Sequence, residues 1–306
     1  MTDALRIAVV GDLLLDVDLW GPGQRPAPDG GMPIVDVTKE TPRAGGAGLV
    51  ATLLHRDGHE VRLITAMGAD AAAERLRSLI GPVALVSSPS NAPTPVKTRL
   101  RAGDSTVARI DTGCAPPPAP TVTTAQLAAL EGADAIVVAD YGRGITADAG
   151  IRRTLARLAT EVPVVWDPHP RGSAPVPGVA IATPNRGEAV GFAGTEALER
   201  AARALLDRWS AQSVAITLGA DGVLLHDESA HHLPTRHVDV VDGCGAGDRF
   251  ASALAASLAS GAHLKAAVLA AMAATGDFLA AGGVASLAGE PVAPLGSPAS
   301  LVPALP

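Results

Sequence analysis

The chain has 306 residues, which is enough for one large α/β domain or for one domain with a small accessory element. Apolar residues make up 47% of it but aromatic residues only 2%, so small side chains must fill the core and little stacking surface is left for nucleobases. The net charge of −7 argues against a general nucleic-acid binder, because phosphate backbones require clustered Lys and Arg.

The first half of the chain combines strand and helix patterns with two polar stretches. An apolar run at 5–10 that ends in Gly11-Asp12 predicts a buried strand followed by a turn. Residues 13–43, rich in Asp, Gly and Pro with short alternating pieces, indicate exposed strands or a flap. A polar-edged hairpin predicted at 95–111 would complete that flap. Between these stretches, hydrophobic spacing predicts a helix, a strand and a helix, at 45–54, 61–66 and 71–79.

The second half alternates regularly between strands and helices. Strands are predicted at 135–139, 162–166, 179–182, 213–217 and 222–226, and helices at 147–160, 196–209, 246–260 and 264–281. This alternation implies a mostly parallel sheet that helices cover on both faces, with ligands bound at the carboxyl ends of the strands. We therefore predict an α/β domain over residues 1–288 and a loose, Pro- and Ala-rich tail over 289–306.

The cysteines and the apolar runs bear on the cellular location. Cys114 and Cys244 give neither a disulfide framework nor a zinc-binding spacing, which is typical of a reducing cytoplasm. The N-terminus lacks the basic and apolar regions of a signal peptide. The longest apolar stretch, at 266–281, is interrupted by Gly276 and Asp277 and suits a buried helix better than a membrane span. We expect a cytoplasmic protein that does not enter the membrane.

The segment Asp242-Gly243-Cys244-Gly245-Ala246-Gly247-Asp248 carries the clearest chemical signal. Its glycines allow a sharp turn in which backbone N–H groups come close to a ligand, and the helix that follows adds unpaired donors and a positive partial charge. That combination suits a phosphoryl group during transfer. Asp248, in the first turn of the helix, is placed to accept a proton from an alcohol. The plainer alternative is a tight strand–helix turn with a charge at the helix start.

Five segments with glycine or Asn/Glu signatures follow one another along residues 5–282: Gly45-Gly46-Ala47-Gly48, Gly68-Ala69-Asp70, Asn185-Arg186-Gly187-Glu188, Thr217-Leu218-Gly219-Ala220-Asp221-Gly222 and Gly245-Ala246-Gly247-Asp248. Their order resembles that of the PfkB, or ribokinase-like, sugar kinases. The resemblance implies a three-layer α/β/α fold with a mostly parallel sheet and a small β flap, which acts as a lid. It also implies ATP-dependent phosphorylation of a sugar hydroxyl with Mg²⁺.

The resemblance also assigns roles to individual residues. Asp248 would be the base, in an anion hole formed by Gly245, Ala246 and Gly247. ATP would be bound by Asn185, Glu188, Thr217, Gly219 and Gly222, with Glu188 acting on Mg²⁺ through water. The sugar would contact Asp12, Asp16, Gly45 and Gly46. Asp242 would help to hold a monovalent cation such as K⁺, although Gly243 and Cys244 stand where Thr is common.

Several of these residues have plainer readings. Asn185 and Glu188 also fit a capping Asn and a first-turn Glu. Gly45 and Gly46 also fit close packing of a helix on a strand, and Asp12 a simple turn.

Within the family, three further segments resemble the heptose-phosphate kinases of the ADP-heptose pathway: Gly11-Asp12 leading through Asp16 to Trp20-Gly21, Asp140-Tyr141-Gly142-Arg143-Gly144, and Asp167-Pro168. This similarity implies phosphorylation of a heptose 7-phosphate at O1. Lys97 and Arg99 would then pair with the phosphate already on the substrate, and Asp140 would contact the sugar. Leu49 departs from the family, because Asn usually stands there and reaches the sugar.

Several alternatives stay open. Another sugar kinase of the family, such as a ribokinase, fructokinase or phosphofructokinase, fits the same motifs, and so does a non-catalytic sugar or nucleotide sensor. A dinucleotide-dependent oxidoreductase does not fit, because the first strand leads to Gly11-Asp12 and not to a Gly-x-Gly-x-x-Gly turn. ADP-heptose enzymes often carry a nucleotidyltransferase domain, for which we expect a separate protein here. Exposed flap edges would also allow pairing into a homodimer.

Overall fold

The computed structural model describes residues 4–22, 25–26, 33–103, 105–240 and 242–287. Its strands are β1 (Arg6–Gly11), β2 (Leu13–Gly21), β3 (Arg25–Pro26), β4 (Pro33–Ile34), β5 (Lys39–Gly46), β6 (Glu60–Met67), β7 (Ala84–Pro89), β8 (Val96–Ala102), β9 (Ser105–Thr112), β10 (Ala135–Ala139), β11 (Val164–Asp167), β12 (Ile181–Ala182), β13 (Val214–Thr217), β14 (Val223–His226) and β15 (Ala230–Leu233). Its α-helices are α1 (Ala47–Arg56), α2 (Ala71–Ile80), α3 (Thr124–Ala128), α4 (Ala149–Leu158), α5 (Arg186–Ala193), α6 (Leu198–Trp209), α7 (Ala246–Ala259) and α8 (Leu264–Ala280).

The main sheet has nine strands in the order β15-β14-β13-β12-β11-β10-β1-β6-β7. All neighbours from β13 to β7 are parallel, whereas β14 pairs antiparallel with both β13 and β15, so that β14 alone runs opposite to the other strands of this sheet. The central strands are apolar along their length because both faces of the sheet are covered, as in most parallel sheets. This arrangement confirms the predicted α/β fold with a mostly parallel sheet.

Alternate residues of one strand serve the two hydrophobic layers. Ile7 and Val9 of β1 pack into the layer that contains α1, α2, α7 and α8. Ala8 and Val10 pack into the opposite layer, against α4. Helices α5 and α6 continue that opposite layer at the far side of the sheet. The carboxyl ends of the strands are thereby left at one open edge of a three-layer fold, where ligands bind.

A second sheet of four strands, which we call the lid, covers this edge. Its order is β5-β2-β8-β9, with β2 and β8 parallel and the other neighbours antiparallel. The lid thus joins the segments 13–43 and 95–111, as predicted for the flap, although residues 23–24, 27–32 and 104 lie outside the described part. Strand β9 is an exposed edge along its whole length. Pairing of this edge with a second copy stays a prediction.

The elements that sequence patterns did not indicate are short or weakly patterned. Helix α5 contains two glycines and buries only Ala189, so it lacks a clear apolar stripe. Strands β7 and β15 are edge strands with many exposed residues. The predicted tail at 289–306 lies outside the described residues. Within the described ranges, no helix has both the length and the apolar character needed to span a bilayer.

Candidate active site

The carboxyl ends of β1, β10 and β11 bring acidic side chains together beneath the lid. Asp12 follows β1, Asp140 follows β10 and Asp167 ends β11. Asp248 approaches them from the first turn of α7. Asp140, Asp167 and Asp248 line one cavity of about 230 Å³ with Tyr141, His169, Thr183, Asn185, Glu188 and Thr217. We call it the acidic cavity.

Asp248 is a buried carboxylate that faces this cavity, with 7% of its surface exposed. Burial raises its pKa to about 7, which a hydrogen bond from Tyr141 and the charge of Lys97 only partly offset. The Tyr141 Oη donates that bond to Asp248 Oδ1 at 2.8 Å. Burial and the Asp248 charge raise the pKa of Tyr141 well above its usual value, so this phenol remains a donor. Asp248 therefore changes its charge near neutral pH.

The turn before α7 presents backbone N–H groups to the same cavity. Gly245 precedes the helix at φ 80°, and a Cβ on it would lie 2.9 Å from both Leu49 Cδ2 and Val284 Cγ1. Only glycine fits this conformation without strain. By helix geometry, the first N–H groups of α7, including those of Gly247 and Asp248, have no acceptor inside the helix. These donors suit the oxygens of a phosphoryl group, and the anion hole at Gly245, Ala246 and Gly247 stays a prediction.

A larger, mostly apolar cavity of about 420 Å³ lies on the other side of this turn. Three of the five predicted ATP-binding residues, Thr217, Gly219 and Gly222, line it together with the apolar side chains of Val223, Phe250, Met272 and Leu279. Thr217, Gly243, Ala246 and Gly247 line both cavities. The two cavities therefore meet at the anion turn, with room for a flat apolar group on one side and polar groups on the other.

Asn185 and Glu188 form a reciprocal capping box at the start of α5. Asn185 Oδ1 accepts a bond from the Glu188 N–H at 3.0 Å, and Glu188 Oε2 accepts one from the Asn185 N–H at 2.9 Å. The plainer structural reading of these residues is thus correct. Both side chains still line the acidic cavity. The capping box orients them toward that cavity without excluding the predicted role at the nucleotide.

The donor set of the acidic cavity fits a hard cation. Burial and the charges of Asp248 and Glu188 raise the pKa of Asp167 well above its usual value, and burial raises that of Glu188. Carboxylate oxygens are ligands that Mg²⁺ accepts. Among the described residues, however, no group of three His, Cys, Asp or Glu side chains forms a metal cage. The residues therefore suit an ion that arrives with phosphate oxygens and water, near Glu188 and Asp167.

Asp12 and Asp140 both hold the loop that follows β10. Asp12 Oδ2 accepts bonds from the N–H groups of Tyr141 and Arg143 at 3.0 and 2.9 Å. Burial raises the pKa of Asp12 to about 6, and these two bonds oppose the shift. Asp140 accepts from the Gly142 N–H, the Thr146 hydroxyl and the Ser173 N–H at 2.7–2.8 Å. Both aspartates therefore position the loop that carries Tyr141, and their predicted contact with sugar stays a prediction.

The two basic residues of the lid that were predicted to bind a phosphate, Lys97 and Arg99, have different surroundings. The Arg99 guanidinium has its partners inside the protein, since it donates to Asp16 Oδ1 at 3.1 Å and to Cys244 Sγ at 3.3 Å. Lys97 Nζ lies 5.5 Å from the centre of the Tyr141 ring. Among the described residues it has no carboxylate within ion-pair distance. Lys97 is therefore the better placed of the two to meet an anionic substrate beside Asp248.

Gly45 and Gly46, between the lid and α1, lie so close to neighbouring atoms that a side chain would not fit at either position. A Cβ on Gly45 would lie 2.4 Å from Asp16 Oδ2, and one on Gly46 would lie 2.5 Å from the Asp12 carbonyl oxygen. Gly46 has φ 60°, which side chains rarely tolerate. It also lies against the Tyr141 ring. Both glycines belong to the end of strand β5, and α1 begins at Ala47, two residues after the predicted helix start at 45.

The predicted monovalent-cation site at Asp242 does not fit a free ion. Asp242 Oδ1 accepts from the Cys244 N–H at 2.9 Å, and Oδ2 is paired with the Arg101 guanidinium. Although burial favours the neutral form, these two donors lower the pKa of Asp242. Arg101 therefore already provides the positive charge at this carboxylate.

Sequence reasoning did not select Tyr141, Asp167 and Arg101 as functional residues. Tyr141 lies inside the segment Asp140–Gly144, but its bond to Asp248 joins residues 107 positions apart. Asp167 ends a buried strand, and the rule that ligands bind at strand carboxyl ends would have nominated it. Arg101 follows Arg99 on the same face of β8, but nothing in the sequence indicates that the two reach different carboxylates.

A lidded parallel sheet with an anion turn between a nucleotide-sized cavity and a buried carboxylate is characteristic of small-molecule kinases. The model of the pfkB family carbohydrate kinases matches residues 4–284. The chain therefore belongs to the pfkB family of carbohydrate kinases.

Relatives agree with this assignment. The chain is 43% identical to the bifunctional protein HldE of Streptomyces coelicolor and 35% identical to that of Methylococcus capsulatus, in each case over 94% of its own length. It spans 62% and 63% of the length of these two relatives. Among solved structures, Arabidopsis thaliana ribokinase complexed with ribose and ATP superposes with a TM-score of 0.70 at 20% identity, covering 90% of this chain and 93% of that one. Escherichia coli phosphofructokinase-2 superposes with a TM-score of 0.67 at 19% identity over 90% and 94%, so these two structures support the fold.

Proposed function

We propose that this chain transfers the terminal phosphoryl group of Mg²⁺-ATP to a hydroxyl of a sugar phosphate. The observation that carries the proposal is that two cavities meet at the anion turn, and that Asp248, the residue after Gly247, lines the acidic one. The apolar cavity suits the nucleoside, and the acidic cavity suits the acceptor hydroxyl together with the metal. When bound, Mg²⁺ would neutralise charge on the ATP phosphates, with Glu188 and Asp167 beside it.

Asp248 acts as the base in this proposal. Its Oδ1 is held by the Tyr141 hydroxyl, which leaves Oδ2 to face the acceptor hydroxyl. The carboxylate orients the hydroxyl and takes its proton as the oxygen attacks phosphorus, while the bond from phosphorus to the bridging oxygen of ADP breaks. The N–H groups of the Gly245–Asp248 turn stabilise the charge on the transferring oxygens.

The preferred acceptor is D-glycero-D-manno-heptose 7-phosphate, phosphorylated at O1 to the 1,7-bisphosphate. The segments around Asp12, Asp140 and Asp167 that resemble heptose-phosphate kinases support this choice, as does the similarity to the HldE proteins. Lys97 is the side chain proposed to meet the substrate's own phosphate, since Arg99 is paired with Asp16. A different sugar kinase specificity within the family is the main alternative, because Leu49 stands where Asn commonly contacts the sugar.

An ADP-release screen across pentoses, hexoses, heptoses and their phosphates tests the proposal. We expect the highest kcat/KM with heptose 7-phosphate, and ³¹P NMR of the product should show a second phosphate at O1. Turnover of unphosphorylated sugars alone would remove the role of Lys97 at a substrate phosphate. ATP binding without ADP release from any sugar would favour a sensor on the same fold.

A further inference from the structure

Arg101 joins the lid to the loop that leads into the anion turn. It lies on β8, is only 6% exposed, and donates from Nε to Asp18 Oδ1 at 3.1 Å. Its Nη2 pairs with Asp242 Oδ2 in the loop before α7. Asp18 is held in turn by Arg43 of β5. The guanidinium is therefore fixed from two sides in the buried part of the lid.

The loop around Asp242 is rich in acceptors and needs a positive charge. Asp242 is partly buried, and its side chain is 25% exposed. The carbonyl oxygens of Asp242 and Cys244 both approach the turn at Gly283, where a Cβ would lie 3.1 and 3.9 Å from them. A partly buried carboxylate such as that of Asp242 requires a positive partner, and the two carbonyl oxygens add negative partial charge to the same loop. Arg101 meets that requirement from within the chain.

A mobile ion would compete directly with this guanidinium. Both would occupy the space beside Asp242 Oδ2, and two positive charges at such short distance repel each other. Arg101 stays protonated at all physiological pH values, since Asp242 and Asp18 stabilise its charge against the opposing effect of burial. The charge beside the anion turn is therefore permanent.

We propose that the Arg101 guanidinium takes the place of a monovalent cation at Asp242, so that this enzyme binds nucleotide and turns over without K⁺. The inference rests on the proposed function and concerns how the same anion turn is held in shape. Arg101 belongs to the lid. The same sheet therefore covers the acceptor site and supplies the charge that orders the anion turn. Arg101 is thus a positioning residue that acts through Asp242.

The first test needs no variant. Affinity for a non-hydrolysable ATP analogue with Mg²⁺ is measured by calorimetry in K⁺ and in tetramethylammonium at equal ionic strength, and turnover is measured in the same two buffers. We expect both quantities to differ by less than about twofold between the buffers. If K⁺ does not bind beside Asp242, it cannot change the affinity for the nucleotide. A gain of fivefold or more in K⁺ overturns the proposal. Analogue binding needs no sugar, so it remains decisive even if the acceptor has been assigned wrongly.

The second test exchanges the internal charge for an external one. In Arg101→Met, Asp18 keeps Arg43, and Asp242 becomes accessible to ions. We expect analogue affinity in tetramethylammonium to fall about tenfold and to recover largely in K⁺. Arg109→Met, which removes an exposed arginine of β9 paired with Asp111, is the matched control and should behave like the parent protein. An Arg101→Met variant that binds the analogue like the parent in both buffers contradicts the proposal.

Discussion

The carboxyl group of Asp248 has to satisfy two opposing demands. Burial in the first turn of α7 disfavours its ionised form and raises its pKa to about 7. A base in phosphoryl transfer must still be ionised at the working pH. The Tyr141 hydroxyl favours the ionised form, because it donates a hydrogen bond to Oδ1. Tyr141 thus supports Asp248 without needing to touch the acceptor.

Replacement of Tyr141 by Phe should move the acid limb of the pH profile. Loss of the bond to the carboxylate removes an interaction that lowers the pKa of Asp248, so the midpoint of kcat/KM against pH should rise by about one unit. Activity should therefore fall strongly at pH 6.5 and be close to normal at pH 9. A profile that drops equally at every pH, with no shift of its midpoint, would show that Tyr141 does not act on this pKa.

Individual residues were predictable from sequence only where the local chain carries the signal. Asp248 and Gly245 lie within one turn, so their relation is visible in seven consecutive residues. The partners of Arg99 and Arg101 depend on how β8 is paired with β2 and on where the loop at 242–244 passes. The sequence therefore suggested a substrate phosphate as the partner of Arg99 and gave no sign of the internal partners Asp16 and Cys244.

At the scale of elements, the junction between β5 and α1 connects the lid to the sheet. Gly46→Ala should disturb this junction, because the new Cβ would approach the Asp12 carbonyl oxygen to 2.5 Å at a φ of 60°. Gly58→Ala is the matched control, since Gly58 also has positive φ but open space around it. We expect Gly58→Ala to cost about 1 kcal/mol through backbone strain alone. Gly46→Ala should lower the free energy of unfolding by clearly more than this and should also raise KM for the acceptor. Equal losses of stability in the two variants would contradict the steric argument.

The buried ion pairs of the lid make a second prediction at this scale. Asp18→Asn removes the charge that Arg43 and Arg101 share, and a buried pair that loses one partner typically costs 3–5 kcal/mol. We expect a loss of about 3 kcal/mol in the free energy of unfolding measured with denaturant. Asp111→Asn breaks an exposed pair with Arg109 and should cost under about 0.5 kcal/mol. Similar losses for both variants would contradict the structural importance of the buried pairs.

Elements with strong periodicity were predicted closely, and those defined by tertiary contacts were not. Helix α6 was expected at 196–209 and spans Leu198–Trp209, because its apolar stripe is continuous. The two flap segments were recognised separately, and their union into one sheet was expected, but the β5-β2-β8-β9 order depends on pairings that only the folded chain defines. Long-range pairing leaves little trace in local composition.

For the molecule as a whole, the acidic site lowers stability near neutral pH. The pKa of Asp248 is about 7 in the folded chain and about 4 when unfolded, so the folded state binds the extra proton between these values. Stability is therefore lost as pH rises from about 4 to about 7. Asp248→Asn removes this loss, and its Tm should exceed that of the parent by roughly 5 °C at pH 8 and by less at pH 5. A Tm difference that does not grow with pH would mean that Asp248 is not destabilised by burial.

The role of Asp248 as the base is tested most directly by one comparison of the parent and Asp248→Asn proteins. Single-turnover transfer from Mg²⁺-ATP to the best acceptor is followed by quenched flow, and affinity for the ATP analogue is measured on the same samples. We predict that the variant binds the analogue within about threefold of the parent, because the anion turn is unchanged, and that transfer falls by about 10³-fold or more. Transfer within tenfold of the parent rate would contradict the assignment of Asp248 as the group that activates the acceptor hydroxyl.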